Sequence, residues 1–110
     1  YAGLFSSSDT LATALSEAAA LGGERMWRLP LAPEYKDKIK STIADIKNIG
    51  GSEAGAITAA LFLQEFVEKT DWAHLDIAGT AFSTSDKLAT PKGGTGFGVR
   101  TLIRYIEGLA

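Results

Sequence analysis

The chain holds a single histidine, and its setting is the first place where chemistry could reside. His74 lies in W-A-H-L-D-I-A-G-T-A, two residues after Trp72 and two before Asp76, in a stretch that reads as a β-strand from Trp72 to Ala78 closing at Gly79. Side chains alternate along a strand, so Trp72, His74 and Asp76 share one face. An imidazole beside a carboxylate begins a metal site, but zinc needs at least three protein ligands. The nearest carboxylates in sequence, Glu65, Glu68 and Asp71, fall on a helix end and a turn, and no second histidine joins them. The competing reading is a histidine at a sheet surface or subunit contact, with Asp76 capping a loop. A serine–histidine pair would rest on His74 alone, because there is no G-x-S-x-G elbow and Ser6, Ser7, Ser8, Ser83 and Ser85 all stand in cap or loop contexts.

Other stretches pose the same choice. In K-G-G-T-G-F-G-V-R, glycines precede a helix start and could expose N–H groups to an anion. The spacing G-x-G-x-G, with Lys92 ahead of the glycines, matches no nucleotide fingerprint. A tight turn, with close helix-to-sheet packing that a side chain would block, is the better account. Lys36, Lys38, Lys40 and Lys47 are interrupted by Asp37 and Asp45 and have no aromatic platform among them, which describes a solvated surface. Asp45 and Asn48 punctuate S-T-I-A-D-I-K-N-I-G-G, whose β-branched residues predict a strand leaving into a loop. Either the strand end borders a cleft or backbone donors hold Asp45. N-I-G-G and I-A-G-T-A would then both lie at carboxyl ends of strands, where open α/β sheets bind ligands. They offer small residues for a pocket wall, but no acid, base or nucleophile.

Composition narrows the classes. At 110 residues the chain is one domain or less, and its apolar opening Y-A-G-L-F reads as an entry in mid-structure. A formal net charge of -2 gives no electrostatic reason to expect nucleic acid. The absence of cysteine removes disulfides, thiolate nucleophiles and thiolate ligands, and favours a cytoplasmic setting. The apolar runs fall well short of the roughly 20 residues that a membrane span needs.

The elements that must position these residues follow from periodicity. Ser8 and Asp9 can cap a helix that ends at Gly22-Gly23, with Leu11, Ala14, Leu15 and Ala18 on its apolar face. M-W-R-L-P-L-A-P predicts a short edge strand, since Pro30 has no N–H to give, and Pro33 can start a short helix to Lys40. The helix Ala54–Lys69 carries two apolar stripes, Ile57, Ala60 and Leu61 on one and Ala59, Phe62, Leu63, Phe66 and Val67 on the other, so it calls for burial on more than one side. Covering both takes more protein than the other elements supply. Val99, Leu102, Ile103, Ile106 and Leu109 predict an ordinary amphipathic helix near the end. The order α, short β, β, α, β, loop, α is an α/β layered arrangement.

Five segments, G-E-R-M-W-R-L-P-L, A-D-I-K-N-I-G-G, A-G-A-I-T-A-A-L-F-L, W-A-H-L-D-I-A-G-T-A and K-G-G-T-G-F-G-V-R-T-L-I, in this order and spacing closely resemble the C-terminal end of the leucyl aminopeptidase (cytosol aminopeptidase) family. The resemblance implies that residues 1–110 are a C-terminal segment of a larger catalytic domain, α/β, with a partial mixed sheet flanked by helices. It implies a cytoplasmic homohexamer using two divalent metals (zinc, manganese or magnesium) to remove N-terminal residues from peptides, one metal anchoring the amino group and a metal-bridging water attacking the carbonyl. The partners it implies are a peptide substrate, the remainder of the catalytic domain and other subunits, with no nucleic acid and no membrane. The family's metal ligands and catalytic lysine and arginine belong to upstream segments including N-T-D-A-E-G-R, a run that does not occur here. Asp45 and Asp76 match no ligand position, and His74 belongs to the family pattern without being a ligand in it. What carries over is wall: Ala78 and Ala81 resemble positions lining the pocket for the substrate's N-terminal side chain, and Ile49 one flanking the pocket for the next residue. Ala81 is small where some relatives carry a bulky residue, which predicts a roomier pocket. On this reading the segment alone binds no catalytic metal and hydrolyses nothing. Two rivals are a free-standing non-catalytic binding or scaffold module, and a single-domain hydrolase that uses His74 and Asp76 themselves.

Overall fold

The computed structural model describes residues 1–88 and 90–110. Its centre is β1, Ala2–Ser6, built from the opening apolar run, in which Leu4 and Phe5 are wholly buried. β1 pairs in parallel with β2, Met26–Arg28, and antiparallel with β3, Ala73–Asp76, giving a mixed sheet in the order β2-β1-β3. Parallel neighbours need a crossover, and α1, Asp9–Gly22, provides it. The Ser8 hydroxyl accepts the Leu11 N–H at 3.3 Å, and Gly23 closes the helix in the left-handed region at φ 69. Leu4, Ala12 and Leu15 form the core, with Met26, Leu75 and Tyr105 packed against it.

A 3₁₀ helix, Pro33–Ile39, occupies the place expected for a short helix from Pro33. The strand expected from Ser41 into N-I-G-G does not form, and residues 41–50 run as bends. The Ser41 hydroxyl accepts the N–H groups of Ile43 and Ala44 at 3.2 and 3.1 Å, which turns the chain back locally and takes donors that a ladder would need. Asp45 is accordingly exposed, at the edge of a cleft.

α2 spans Gly55–Gln64, shorter than the expected Ala54–Lys69, and its last turn tightens through Phe66 N–H to Leu63 C=O and Val67 N–H to Gln64 C=O. Ala60 and Leu61 are buried, whereas Phe66 is 70% exposed. One of the two stripes therefore lacks cover. A two-stranded ribbon, β4 (Phe82–Ser83) and β5 (Gly93–Gly94), precedes α3, Val99–Gly108.

α3 is amphipathic, as its periodicity predicts, but its apolar face lies open among the described residues. Its buried contact is Thr101, with Tyr105 one turn on, while Val99, Leu102, Ile103, Ile106 and Leu109 stay 47–68% exposed. Close approach fixes that rotation: a Cβ on Gly22 would lie 3.3 Å from the Arg100 Cβ. The molecule is a slab of 49 × 36 × 18 Å. It exposes 7577 Å², whereas a compact protein of this size exposes about 5,800 Å². The excess, about 1,700 Å², is about twice the roughly 800 Å² that one partner contributes to a standard protein–protein interface. No helix among the described residues is long and apolar enough to cross a membrane.

Candidate functional site

β3 delivers His74 and Asp76 as the alternation requires, and among the described residues each side chain has a partner of its own. The His74 ring stacks with Phe5, at 5.8 Å between centroids, and with Trp72, at 6.3 Å. Asp76 turns to the backbone: its Oδ1 accepts the Ala78 N–H at 3.1 Å, the loop-capping role open to it from sequence. Among the described residues no group of three or more His, Asp or Glu side chains gathers within reach of one ion.

From Asp76 the chain enters a tight turn. The Ile77 carbonyl accepts the N–H groups of Thr80 and Ala81 at 2.9 and 2.8 Å, and the Thr80 hydroxyl at 3.2 Å. This leaves Ala78 and Gly79 exposed at the tip and Ala81 half-buried at the exit. The exit is tied down by Thr95, whose N–H donates to the Ala81 carbonyl at 2.9 Å and whose hydroxyl donates to the Thr80 carbonyl at 2.6 Å.

Ile49 stands elsewhere on the surface. It is 72% exposed and lines an open, mainly apolar cavity of about 900 Å³ with Ile43, Ile46, Phe62 and Phe66. Gly50 presses that loop onto α2 so closely that a Cβ there would lie 2.8 Å from the Thr58 Cβ. A second cavity of about 430 Å³ is polar and is lined by Thr80 and Phe82, on either side of Ala81, together with Glu24, Arg25 and Arg100. Neither cavity is lined by Ile49, Ala78 and Ala81 together.

The best-defined polar cluster was not a candidate from sequence. Glu24, immediately after the C-cap of α1, is 4% exposed, and its carboxylate accepts the Gly98 N–H at 3.0 Å, the Thr101 N–H at 3.0 Å and the Thr101 hydroxyl at 2.7 Å. The Arg100 Nε lies 3.6 Å away. Burial pushes this carboxyl up. The Thr101 hydroxyl, the Thr101 and Gly98 N–H groups and the Arg100 charge outweigh that, and hold it below the usual carboxylate range. Glu24 thus occupies the N-terminus of α3, which has no local side-chain cap. The anion expected to tempt the K-G-G-T-G-F-G turn is the chain's own carboxylate, and the phosphate reading falls with it. No sequence rule pairs residues 24 and 101; only the fold does.

Three of the four lysines flagged as a basic run are paired with acids: Lys36 with Glu65 at 2.6 Å, Lys38 with Glu53 at 3.4 Å and Lys40 with Asp37 at 2.5 Å. That is a neutralised, solvated surface.

A small mixed sheet flanked by helices, with a small-residue turn at the end of its edge strand, defines a segment of an α/β protein. Comparison with known proteins identifies which. The catalytic domain of the cytosol aminopeptidase family matches residues 1–103, and the chain belongs to that family. A probable cytosol aminopeptidase of Chlamydia felis is 58% identical over 108 residues, covering 96% of this chain and 22% of the relative. One from Gluconobacter oxydans is 57% identical over 106 residues with the same coverage of both. The chain thus spans about a fifth of the length of the curated relatives it matches. Among solved structures, the bottromycin maturation enzyme BotP in complex with Mn superposes with a TM-score of 0.92 at 42% identity, over 98% of this chain and 24% of that one. A mutant of tomato leucine aminopeptidase superposes at 0.87 and 42% identity, over 96% and 20%. These neighbours share the mixed sheet and its flanking helices.

Proposed function

We propose that this chain is the C-terminal part of the catalytic domain of a metal-dependent leucyl aminopeptidase, which releases leucine-like N-terminal residues from peptides, and that its contribution is substrate-pocket wall. The observation that carries the reading is the family match over residues 1–103, at 54–58% identity to the relatives cited and their like. Ala78 and Ala81 would meet the substrate's N-terminal side chain and Ile49 the residue after it. The small side chain of Ala81, in a turn pinned at both ends, leaves room for a bulky group.

The family resemblance implies two divalent ions (zinc, manganese or magnesium), and the BotP structure is one with Mn. The residues described here do not fit such a centre, since no three acids and histidines converge among them. No chemical step is therefore assigned to this segment; its residues shape and hold the pocket. The remaining four-fifths of a relative's length would supply the metal ligands and the groups that activate water. It would also cover the exposed stripe of α2 and the bare face of α3, which fits the surface in excess of a compact protein of this size. A homohexamer in the cytoplasm goes with the same reading.

The test is an assay of the full-length protein on leucine p-nitroanilide with manganese or zinc, beside the 110-residue chain alone. Turnover by the full-length protein and none by the segment is expected. A metal-loaded full-length protein that leaves the substrate intact would overturn the activity. Turnover by the segment, free of full-length enzyme, would overturn its assignment as wall.

A further inference from the structure

We propose that Thr95 is a positioning residue for side-chain preference: its hydroxyl locks the exit of the Ile77–Ala81 turn and so sets where the Ala81 methyl stands in the pocket. The inference rests on the reading of Ala78 and Ala81 as pocket wall and extends it to a residue that touches no substrate.

The turn is held at two ends by different means. Its entry is fixed by its own strand, through Asp76 Oδ1 to the Ala78 N–H and through the Ile77 carbonyl. Its exit is held from outside, by β5, where Gly94 pairs with Phe82, and by Thr95, the residue that follows it. The Thr95 hydroxyl is used twice, donating to the Thr80 carbonyl at 2.6 Å and accepting the Phe97 N–H at 3.2 Å. The Thr95 N–H meanwhile donates to the Ala81 carbonyl at 2.9 Å, so consecutive carbonyls of the wall are bound to one residue. Gly96, at φ 65, makes the reversal that brings the Phe97 N–H back onto the hydroxyl.

The anchor is itself fixed. Phe97 precedes Gly98, whose N–H is gripped by the buried Glu24 carboxylate at 3.0 Å, and α3 starts there against α1. Rigidity passes from the helix pair through Gly98 and Phe97 to Thr95, and from Thr95 to Thr80 and Ala81. A hydroxyl is the one small group that can donate and accept here at once; serine keeps both bonds, and valine of the same shape keeps neither. With valine the partly buried Thr80 carbonyl loses its hydroxyl donor, and the turn exit, then held only by the backbone pairing at Ala81 and Phe82, shifts at Thr80. Atoms lining a specificity pocket then move relative to the substrate side chain while the distant chemistry is untouched.

The experiment uses the full-length protein and reads the ratio of kcat/KM for leucine over alanine p-nitroanilide in wild type, Thr95→Val, Thr95→Ser and Ala81→Leu. One methylene in an apolar pocket discriminates by about 10-fold or more, so a displaced wall should move the ratio by about threefold to tenfold in Thr95→Val, with Thr95→Ser close to wild type. Ala81→Leu should move it as well. If Ala81→Leu shifts the ratio and Thr95→Val scales both substrates equally, Thr95 is merely structural and the proposal fails while the wall reading stands. If neither shifts it, the wall reading fails and takes the proposal with it. Should Thr95→Val not fold, Thr95→Cys, read against Thr95→Ser, exchanges the hydroxyl for a much weaker donor; an unshifted ratio there overturns the proposal.

Discussion

Replacing Glu24 by glutamine gives the most quantitative test of how this segment is held together. The wild-type carboxylate presents two oxygens to three donors: Oε1 to the Gly98 N–H, and Oε2 to the Thr101 N–H and hydroxyl, all within 3.0 Å and away from water. Glutamine keeps the shape but turns one oxygen into an NH₂ group. The Gly98 N–H then faces another donor, and the bonds to Thr101 lose their charge assistance. Leaving a buried donor unsatisfied costs about 1–3 kcal/mol, and hydrogen bonds to charged groups exceed neutral ones by about 1 kcal/mol, so a loss of about 3 kcal/mol is expected at the start of α3. At 1.4 kcal/mol per decade, amide exchange of a peptide covering residues 96–103 should accelerate about 100-fold in the full-length protein. The exposed Glu17, changed to glutamine, is the control and should leave that peptide alone.

The pH arm has a defined sign. The folded-state pKa of Glu24 is lowered from its ordinary 4.5, so its contribution is present in full above that value. It is lost as the pH falls through the lower folded value. After correction for intrinsic exchange, wild-type protection of residues 96–103 should decline below pH 4.5, and the glutamine variant should show no such decline. Protection within a few-fold of wild type in the variant, at neutral pH, would refute the reasoning.

Gly50→Ala should destabilise the full-length protein by about 1–3 kcal/mol through overpacking, because the added Cβ lands 2.8 Å from the Thr58 Cβ; Gly55→Ala, which meets nothing within 4 Å, should be neutral or stabilising by urea denaturation. His74→Phe should keep both activity and bound metal, since the ring serves to stack on Phe5 and Trp72; loss of metal measured by atomic emission would restore the hydrolase built on His74 and Asp76. The isolated 110-residue chain should self-associate in sedimentation velocity and bind a hydrophobic dye, given the bare faces of α2 and α3. A monodisperse, cooperatively folding monomer would favour a free-standing module instead.

The legible parts of this fold are those whose signals are local. α1 announces itself through Ser8 and Gly23, whose capping needs only neighbours in sequence. β3 was visible in the alternation around His74, and β2 in a short run before Pro30. β1 was not, because a central strand buried along its length shows no period, and Y-A-G-L-F looks the same in a helix, a strand or a loop. Residues 41–50 misled because β-branched content argues for a strand only where a partner exists. Here the Ser41 hydroxyl offers the backbone a nearer one. The periodicity of α3 announces its amphipathic face but not that the face lies open, since periodicity says which residues seek burial and not whether this segment provides it.

At the site, the Asx role of Asp76 was open in the sequence, and its partner Ala78 sits two residues away. Glu24 and Thr95 were invisible because their partners lie 74–77 and 15 residues distant. The wall residues themselves came from family resemblance. Alanines carry no chemistry for a pattern to announce.

The most direct measurement is a crystal structure of the full-length protein with its metals and a non-hydrolysable peptide analogue bearing an N-terminal leucine. The account predicts the leucine side chain within about 4.5 Å of the Ala78 and Ala81 methyls, Ile49 beside the following residue, and every metal ligand outside the segment described here. A metal bound by His74 or Asp76, or a leucine side chain seated away from both alanines, would contradict it.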